Sequence, residues 1–228
     1  MRLEGKHVLI SGGHGRLGSE LIPLLRQEGA SVMSPSRMEW DVNLRPCGLA
    51  MPSIPDIIIH AAAYTNVAAA ETEKDECGYV NIEGTRRVSK LAHECRAKMV
   101  YISSDYVNVH PMGFYAFTKK AGEAFVGKRK GLIVRTSFKP RGMWGKDKLN
   151  GVFHPVHTNA DWVDIIAERI VEAVCRDLTG IVNIGTQAKT LKDLAVQEYP
   201  EVKEIPVEEA DARLGYIYPR DTCMQLTI

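Results

Sequence analysis

The 228-residue chain has 29 basic and 28 acidic side chains, a net charge of +1, and is 45% hydrophobic. This composition suits a globular protein with a substantial core, and the balanced charge argues against nucleic acid or an anionic membrane as partner. No apolar run approaches the ~20 residues of a membrane span, and the N-terminus lacks a secretion-signal core. A small-molecule partner is expected instead. The five cysteines (Cys47, Cys77, Cys95, Cys175 and Cys223) are odd in number and scattered, with no CxxC and no metal-spaced histidine pair. Reduced thiols in a cytoplasmic protein without a metal site are the simplest expectation.

His7-Val8-Leu9-Ile10 reads as a buried strand, and Ser11-Gly12-Gly13-His14-Gly15-Arg16-Leu17-Gly18 follows at once. Leu17, Leu21, Leu24 and Leu25 then form a helical stripe that stops at Gly29, with Pro23 expected to bend the helix. Strand, glycine turn and helix together make the context of a dinucleotide fingerprint, here spaced GxxGxxG. Gly12 allows the turn, Gly15 lets a pyrophosphate approach the backbone, and Gly18 lets helix and sheet pack closely. Arg16 and Leu17 carry the first helical amides. A second strand is expected over Ala30–Met33. Beyond it stand Ser34, Ser36 and Arg37, with no acid before Glu39, which favours NADP(H) and leaves NAD(H) as the alternative.

Asp56-Ile57-Ile58-Ile59-His60 has the unbroken apolar character of a strand buried on both faces. Ala61-Ala62-Ala63 after it is small enough for a cofactor to lie against. A helix is expected over Tyr79–Cys95, with Asn81 near its start as a cap, a surface residue or an anchor for a water or backbone near the site. Met99–Ile102 forms the next strand and places Ser103 and Ser104 at its carboxyl end, where ligands bind in open parallel sheets. A helix over about Ala116–Val126 and a strand at Leu132–Val134 complete the series. The fold class is therefore α/β, a doubly wound parallel sheet of Rossmann type.

Tyr115 and Lys119 stand at i and i+4, so both face one side of a helix. A phenol is a poor acid, but a nearby cation favours its ionised form and a serine hydroxyl can bond the same reacting oxygen. Ser104, Tyr115 and Lys119 thus suit proton donation to a carbonyl under reduction. After Phe138 the texture changes. A basic loop (Lys139, Arg141, Lys146, Lys148) precedes a helix over about Ala160–Arg176, for which Thr158 and Asp161 have capping-box spacing. A strand over Gly180–Ile184 and a short helix over Thr190–Tyr199 follow. The reading divides the chain into a dinucleotide-binding domain, residues 1–137, and a small C-terminal substrate lobe, residues 138–228, partly integrated with it.

Several segments together resemble one family. They are the glycine turn of Ser11–Gly18, His60-Ala61-Ala62-Ala63-Tyr64-Thr65-Asn66-Val67 with Ala70-Glu71, and Val80-Asn81 with Gly84. Ser103-Ser104-Asp105-Tyr106-Val107, Tyr115–Lys119 with Ala121-Gly122-Glu123, Arg135-Thr136-Ser137, Gly180–Gly185 and Pro219-Arg220-Asp221-Thr222 continue in the same order. The chain resembles the extended short-chain dehydrogenase/reductases, and among them the dTDP-4-dehydrorhamnose reductases of dTDP-rhamnose biosynthesis. The resemblance implies NADPH-dependent reduction of the 4-keto group of a nucleotide-linked 6-deoxyhexose. It implies a catalytic set of Ser104, Tyr115 and Lys119 with Asn81 in support. Gly12, Gly15, Arg16, Leu17 and Gly18 would hold the pyrophosphate, Ser36 and Arg37 the 2′-phosphate, Ala61, Ala62 and Ala63 the cofactor wall, and Lys119 the nicotinamide ribose. Thr65, Val67 and Phe138 would face the nucleotide-sugar substrate. The segment between Tyr106 and Tyr115 is shorter than is usual in that family. A homodimer is compatible with the sequence. The rival readings are a non-catalytic NADP-binding regulatory subunit and a related sugar-nucleotide epimerase.

Overall fold

The computed structural model describes residues 2–44, 51–127, 130–144, 151–214 and 216–227. The chain opens with β1 (His7–Ser11), α1 (Arg16–Gln27), β2 (Ser31–Met33) and β3 (Ile57–His60). It continues through α2 (Lys74–Gly78), a π-helical turn over Tyr79–Gly84, α3 (Thr85–Glu94), β4 (Lys98–Ile102), α4 (Phe114–Glu123) and β5 (Leu132–Arg135). Next come β6 (Phe138–Lys139), β7 (Val152–His154), β8 (His157–Thr158), β9 (Asp161–Trp162) and α5 (Val163–Cys175). The last elements are β10 (Gly180–Asn183), β11 (Lys189–Thr190), α6 (Leu191–Ala195), β12 (Glu204–Pro206) and α7 (Val207–Leu214).

Six strands form one sheet in the order β2-β1-β3-β4-β5-β10, and every neighbouring pair is parallel. Alternation within the strands builds a core on each face. Val8, Ile10, Ile57, Ile59, Val100, Ile102, Leu132 and Val134 point to one side, where α1 and α5 cover them with Leu17, Leu21, Leu25, Ile166 and Ile170. Leu9, Ile58, Met99, Tyr101 and Ile133 point to the other, against Val88, Leu91 and Ala92 of α3. A strand read as continuously apolar is thus two interleaved faces, each with its own helices. Pro23 lies inside α1, which runs unbroken. The carbonyl left without its partner is that of the exposed Ser19, where water can replace the lost bond.

The C-terminal residues serve two cores. α5 and β10 complete the main one, whereas Trp144, Phe153, Trp162, Leu194, Ile205 and Tyr218 pack together in a second, smaller cluster. The expected cap on α5 is not formed, because Thr158 is paired in β8 and Trp162 occupies the N-cap position without a side-chain bond. Asp161 accepts from Thr186 Oγ1 and Lys189 Nζ instead, each at 2.6 Å. The capping box belongs to Thr190 and Asp193 at the start of α6. The helix expected over Tyr79–Cys95 is divided by the π-helical turn and preceded by α2, which the apolar stripe did not mark.

Candidate active site

Between β1 and β3 the strand order reverses, since β2 lies on one side of β1 and β3 on the other. A crevice opens at the carboxyl ends of the strands at such a switch point. Gly12 turns there with φ +75°, and a Cβ on it would sit 2.6 Å from the Ala62 nitrogen, so the two loops touch backbone to backbone. A Cβ on Gly18 would meet the Gly12 oxygen at 2.3 Å and Gly13 Cα at 2.4 Å. Gly15, exposed at the N-cap of α1, would meet only the Gly12 oxygen within 4 Å, at 3.1 Å. No side chain caps α1 and its first turn holds no acid, leaving the helix-terminal amides available to an anion. Beside Gly13, the buried Ser34 Oγ has no partner. A narrow all-backbone cradle with free amides and an orphaned hydroxyl fits a dinucleotide. Arg16 is exposed at the start of α1, whereas the Leu17 side chain is committed to the core, so only its backbone could serve a ligand.

Ala61 and Ala62 pack their side chains against the cores on either face of the sheet, and Ala63 follows half-buried. The loop beyond them is held by Asn81, which is 1% exposed. Its Oδ1 accepts from Tyr64 N–H at 2.9 Å, while Nδ2 donates to the Tyr64 carbonyl at 3.1 Å and to Thr118 Oγ1 at 3.0 Å. Asn81 is therefore the backbone anchor among its three sequence readings. Glu71 ties the same loop to α4, its carboxylate accepting from Phe114 N–H at 2.7 Å beside Tyr115.

α4 carries Tyr115 in its first turn and Lys119 one turn later, the latter 3% exposed. Lys119 Nζ lies over the Tyr101 ring at 4.4 Å. Burial lowers its pKa to about 7, against the pull of Glu123. Tyr115 is half-buried, and burial followed by the Asp105 charge raises its phenol, while a hydrogen bond with Ser104 acts the other way. Ser104 is a group that eases ionisation of Tyr115 here. Ser104 sits just past β4, 7% exposed, donating to Asp105 Oδ1 at 3.2 Å and accepting from Tyr106 N–H at 3.2 Å. Asp105 is 1% exposed, and burial lifts its carboxyl to about 6. Burial also holds His60 neutral, its pKa lowered to about 3, between Ser11 Oγ at 2.6 Å and Thr85 Oγ1 at 3.1 Å.

The remaining predicted residues are spread wider. Val67 lines a small cleft with Tyr106, Ala116, Tyr216 and Pro219. Thr65 is exposed outside that lining, and Phe138 packs partly against the main core. Arg37 is exposed and pairs with Asp41 at 3.4 Å. Ser36 and Glu39 cap one another, Ser36 N–H donating to the Glu39 carboxylate at 2.7 Å. In the basic loop, Arg141 pairs with Asp164 and Glu198 and lies over the Trp162 ring, while Lys146 and Lys148 lie outside the described residues. Among the described residues, no helix is long and apolar enough to cross a membrane, and no three metal-ligating side chains converge.

Sequence reasoning quoted His60, Glu71, Asp105 and Thr222 within its motifs without placing any of them in the site. Thr222 eases the ionisation of Asp105 from 117 positions away, a closeness that only the fold creates. The Asp105 signal lay in its place beside Ser104 at a strand's carboxyl end.

A family model described as the RmlD substrate binding domain matches residues 6–170. A dTDP-4-dehydrorhamnose reductase of Streptomyces griseus is 32% identical over 174 residues, covering 67% of this chain and 55% of that protein. One from Mycobacterium tuberculosis is 27% identical over 161 residues, covering 62% of this chain and 53% of its own. The chain spans about half the length of these curated relatives. Among solved structures, a dTDP-4-dehydrorhamnose reductase from Bacillus anthracis in complex with NADP superposes with a TM-score of 0.84 at 25% identity, covering 97% of this chain and 91% of that one. A hypothetical dTDP-4-dehydrorhamnose reductase from Sulfolobus tokodaii gives 0.75 at 26% identity, covering 87% and 85%. The Rossmann-like α/β architecture is common to them.

Proposed function

The chain belongs to the RmlD substrate-binding domain family, and on that premise we propose that it is an NADPH-dependent reductase of the 4-keto group of a nucleotide-linked 6-deoxyhexose, working in the cytoplasm. The observation that carries this reading is the placement of Ser104 just past β4, with Tyr115 and Lys119 one turn apart on the helix α4 that follows, in the same sheet whose first strand opens into the glycine cradle.

NADPH, when bound, supplies the hydrogen and electron pair of the reduction. Gly12, Gly15, Gly18 and the first amides of α1 hold its pyrophosphate, Ser36 and Arg37 its 2′-phosphate, and Lys119 its nicotinamide ribose. Tyr115 gives its proton to the carbonyl oxygen as negative charge develops there, and Ser104 positions that oxygen by hydrogen bonding. Asn81 acts one step back, fixing the Tyr64 backbone and Thr118 of α4. Val67 and Tyr106 form the substrate side of the cleft, to which Tyr216 and Pro219 of the C-terminal part also contribute.

The test is NADPH consumption against a panel of nucleotide 4-keto-6-deoxy sugars, with Tyr115→Phe alongside. The wild type should consume NADPH with at least one sugar. The variant should lose roughly 100-fold or more in kcat while still binding NADP. Equal turnover by the two proteins would refute the role of Tyr115, and no turnover by either would refute the reductase reading.

A further inference from the structure

Resting on that reading, we propose that His60 is a positioning residue for the dinucleotide: with Ser11 and Tyr101 it forms a rung that sets the separation between the glycine cradle and Lys119.

Ser11 and His60 are the last registered pair of β1 and β3, and His60 and Tyr101 are the last of β3 and β4. Register partners point to the same face of a sheet, here the face that α3 covers. Ser11 Oγ meets His60 Nδ1 at 2.6 Å, and the imidazole stacks on the Tyr101 ring, with centroids 5.7 Å apart and planes at 30°. Lys119 Nζ lies over that same ring at 4.4 Å, and the Tyr101 hydroxyl donates to the Lys119 carbonyl at 3.3 Å. All four residues are buried. The rung therefore starts one residue before Gly12 and ends on the lysine of α4. Its two ends serve the pyrophosphate and the nicotinamide ribose of one cofactor, so their separation has to match a single molecule.

Proton counting fixes the tautomer of His60. Thr85 Oγ1 has one proton, and the Asn81 carbonyl, which can only accept, takes it at 2.6 Å. Toward His60 Nε2, 3.1 Å away, Thr85 can then only accept, so Nε2 carries a hydrogen. Burial, followed by the Lys119 charge, opposes a second proton on the ring. Nδ1 is therefore bare and accepts from the Ser11 hydroxyl. The bonds run one way, from Ser11 to His60, from His60 to Thr85 and from Thr85 to Asn81. Held at both nitrogens, the ring keeps its place on Tyr101. Being neutral, it adds no second positive charge beside Lys119.

The experiment reads tautomer and binding separately in the full chain. 15N NMR of the histidine-labelled wild type at pH 7 should show the His60 proton on Nε2 and a bare Nδ1. A proton on Nδ1, alone or together with one on Nε2, overturns the bond directions and the rung built on them. Calorimetry then compares NADP with 2′-phospho-ADP, which carries the pyrophosphate and lacks the nicotinamide ribose. His60→Phe keeps a ring for Tyr101 and loses both hydrogen bonds. It should bind NADP about tenfold more weakly than the wild type and the fragment within about twofold of it. His60→Asn, whose Oδ1 can accept from Ser11, should recover part of the loss. Equal losses for NADP and the fragment would put the effect in the glycine turn alone, and no loss would free the cofactor from His60. Either result overturns the proposal. If His60→Phe does not fold, Ser11→Ala removes the first bond of the rung and is read against the same two ligands with the same criteria. A wild type that binds NADP and reduces no 4-keto sugar ends the reductase reading alone, whereas one that binds no NADP overturns both.

Discussion

Asn81 brackets the Tyr64 peptide, accepting from its N–H at 2.9 Å and donating to its carbonyl at 3.1 Å. One buried amide thereby satisfies both polar groups of a loop residue that has no strand partner, and its remaining donor reaches Thr118 on α4 at 3.0 Å. Asn81→Ala should leave these groups unpaired and cost about 2–3 kcal/mol, which lowers the melting temperature by roughly 5–10 °C. Asn81→Asp keeps the acceptor, loses both donations and should fall between the two. Thermal unfolding of the three proteins checks this. An unchanged midpoint in the alanine variant would mean that water replaces the clamp.

The legible part of the molecule is where local chemistry and position coincide. Gly12, Gly15 and Gly18 stand out because a turn, an open approach and a close packing contact each exclude a side chain at short sequence spacing. The strands were readable from apolar runs such as Ile57-Ile58-Ile59, although the face each residue serves needed the helices that cover it. What escaped is contact between distant segments. Glu71 meets Phe114, and Thr222 meets Asp105, and neither pair has a periodicity that marks it. The cap assigned to Thr158 and Asp161 failed for a related reason. Both residues suit a helix start, but the strand β8 and the Lys189 ion pair claim them first.

Gly18→Ala should be far more damaging than an ordinary helix substitution. Alanine normally favours a helix by about 1 kcal/mol over glycine. Here the added methyl would meet the Gly12 oxygen at 2.3 Å and Gly13 Cα at 2.4 Å, both of them backbone atoms that cannot rotate away. The expected result is a lower melting temperature and loss of NADP binding, read by thermal unfolding and titration calorimetry. A more stable variant with normal cofactor affinity would show that α1 can shift away from the turn.

Cofactor choice should turn on Arg37 and Glu39, which act in opposite directions. Arg37 is exposed and, among the described residues, is held only by Asp41 at 3.4 Å, so it can be drawn to a 2′-phosphate. The Glu39 carboxylate, accepting from Ser36 N–H at 2.7 Å, places negative charge in the same turn. Arg37→Ala should weaken NADP binding by about tenfold or more and leave NAD binding nearly unchanged. Glu39→Gln preserves the cap on Ser36 and should tighten NADP binding. Calorimetry with both dinucleotides decides. Equal losses for NADP and NAD in the arginine variant would place the 2′-phosphate elsewhere.

Asp105 should make the protein less stable as pH rises through the mildly acidic range. Its folded pKa, raised by burial to about 6, exceeds the 3.8 of a free side chain. Between those values the folded state retains a proton that the unfolded chain has released, so stability falls with rising pH across the window. Above about pH 6 the full cost applies, about 3 kcal/mol for a shift of this size. Asp105→Asn keeps the shape of the side chain and removes the charge. The variant should match the wild type near pH 4 and gain stability over it as pH approaches 7. Burial lowers Lys119 to about 7, so its own contribution changes between there and the free value of 10.5, where stability rises with pH. Glu123 and Asp161 are held below their free values, which places their contributions at the acid end of the window or beneath it. His60, lowered by burial from 6.5 to about 3, makes stability rise with pH through this same window in both proteins. The difference between their urea unfolding curves from pH 4 to 7 therefore isolates Asp105, and parallel curves across that range would show that its carboxyl titrates as a free one.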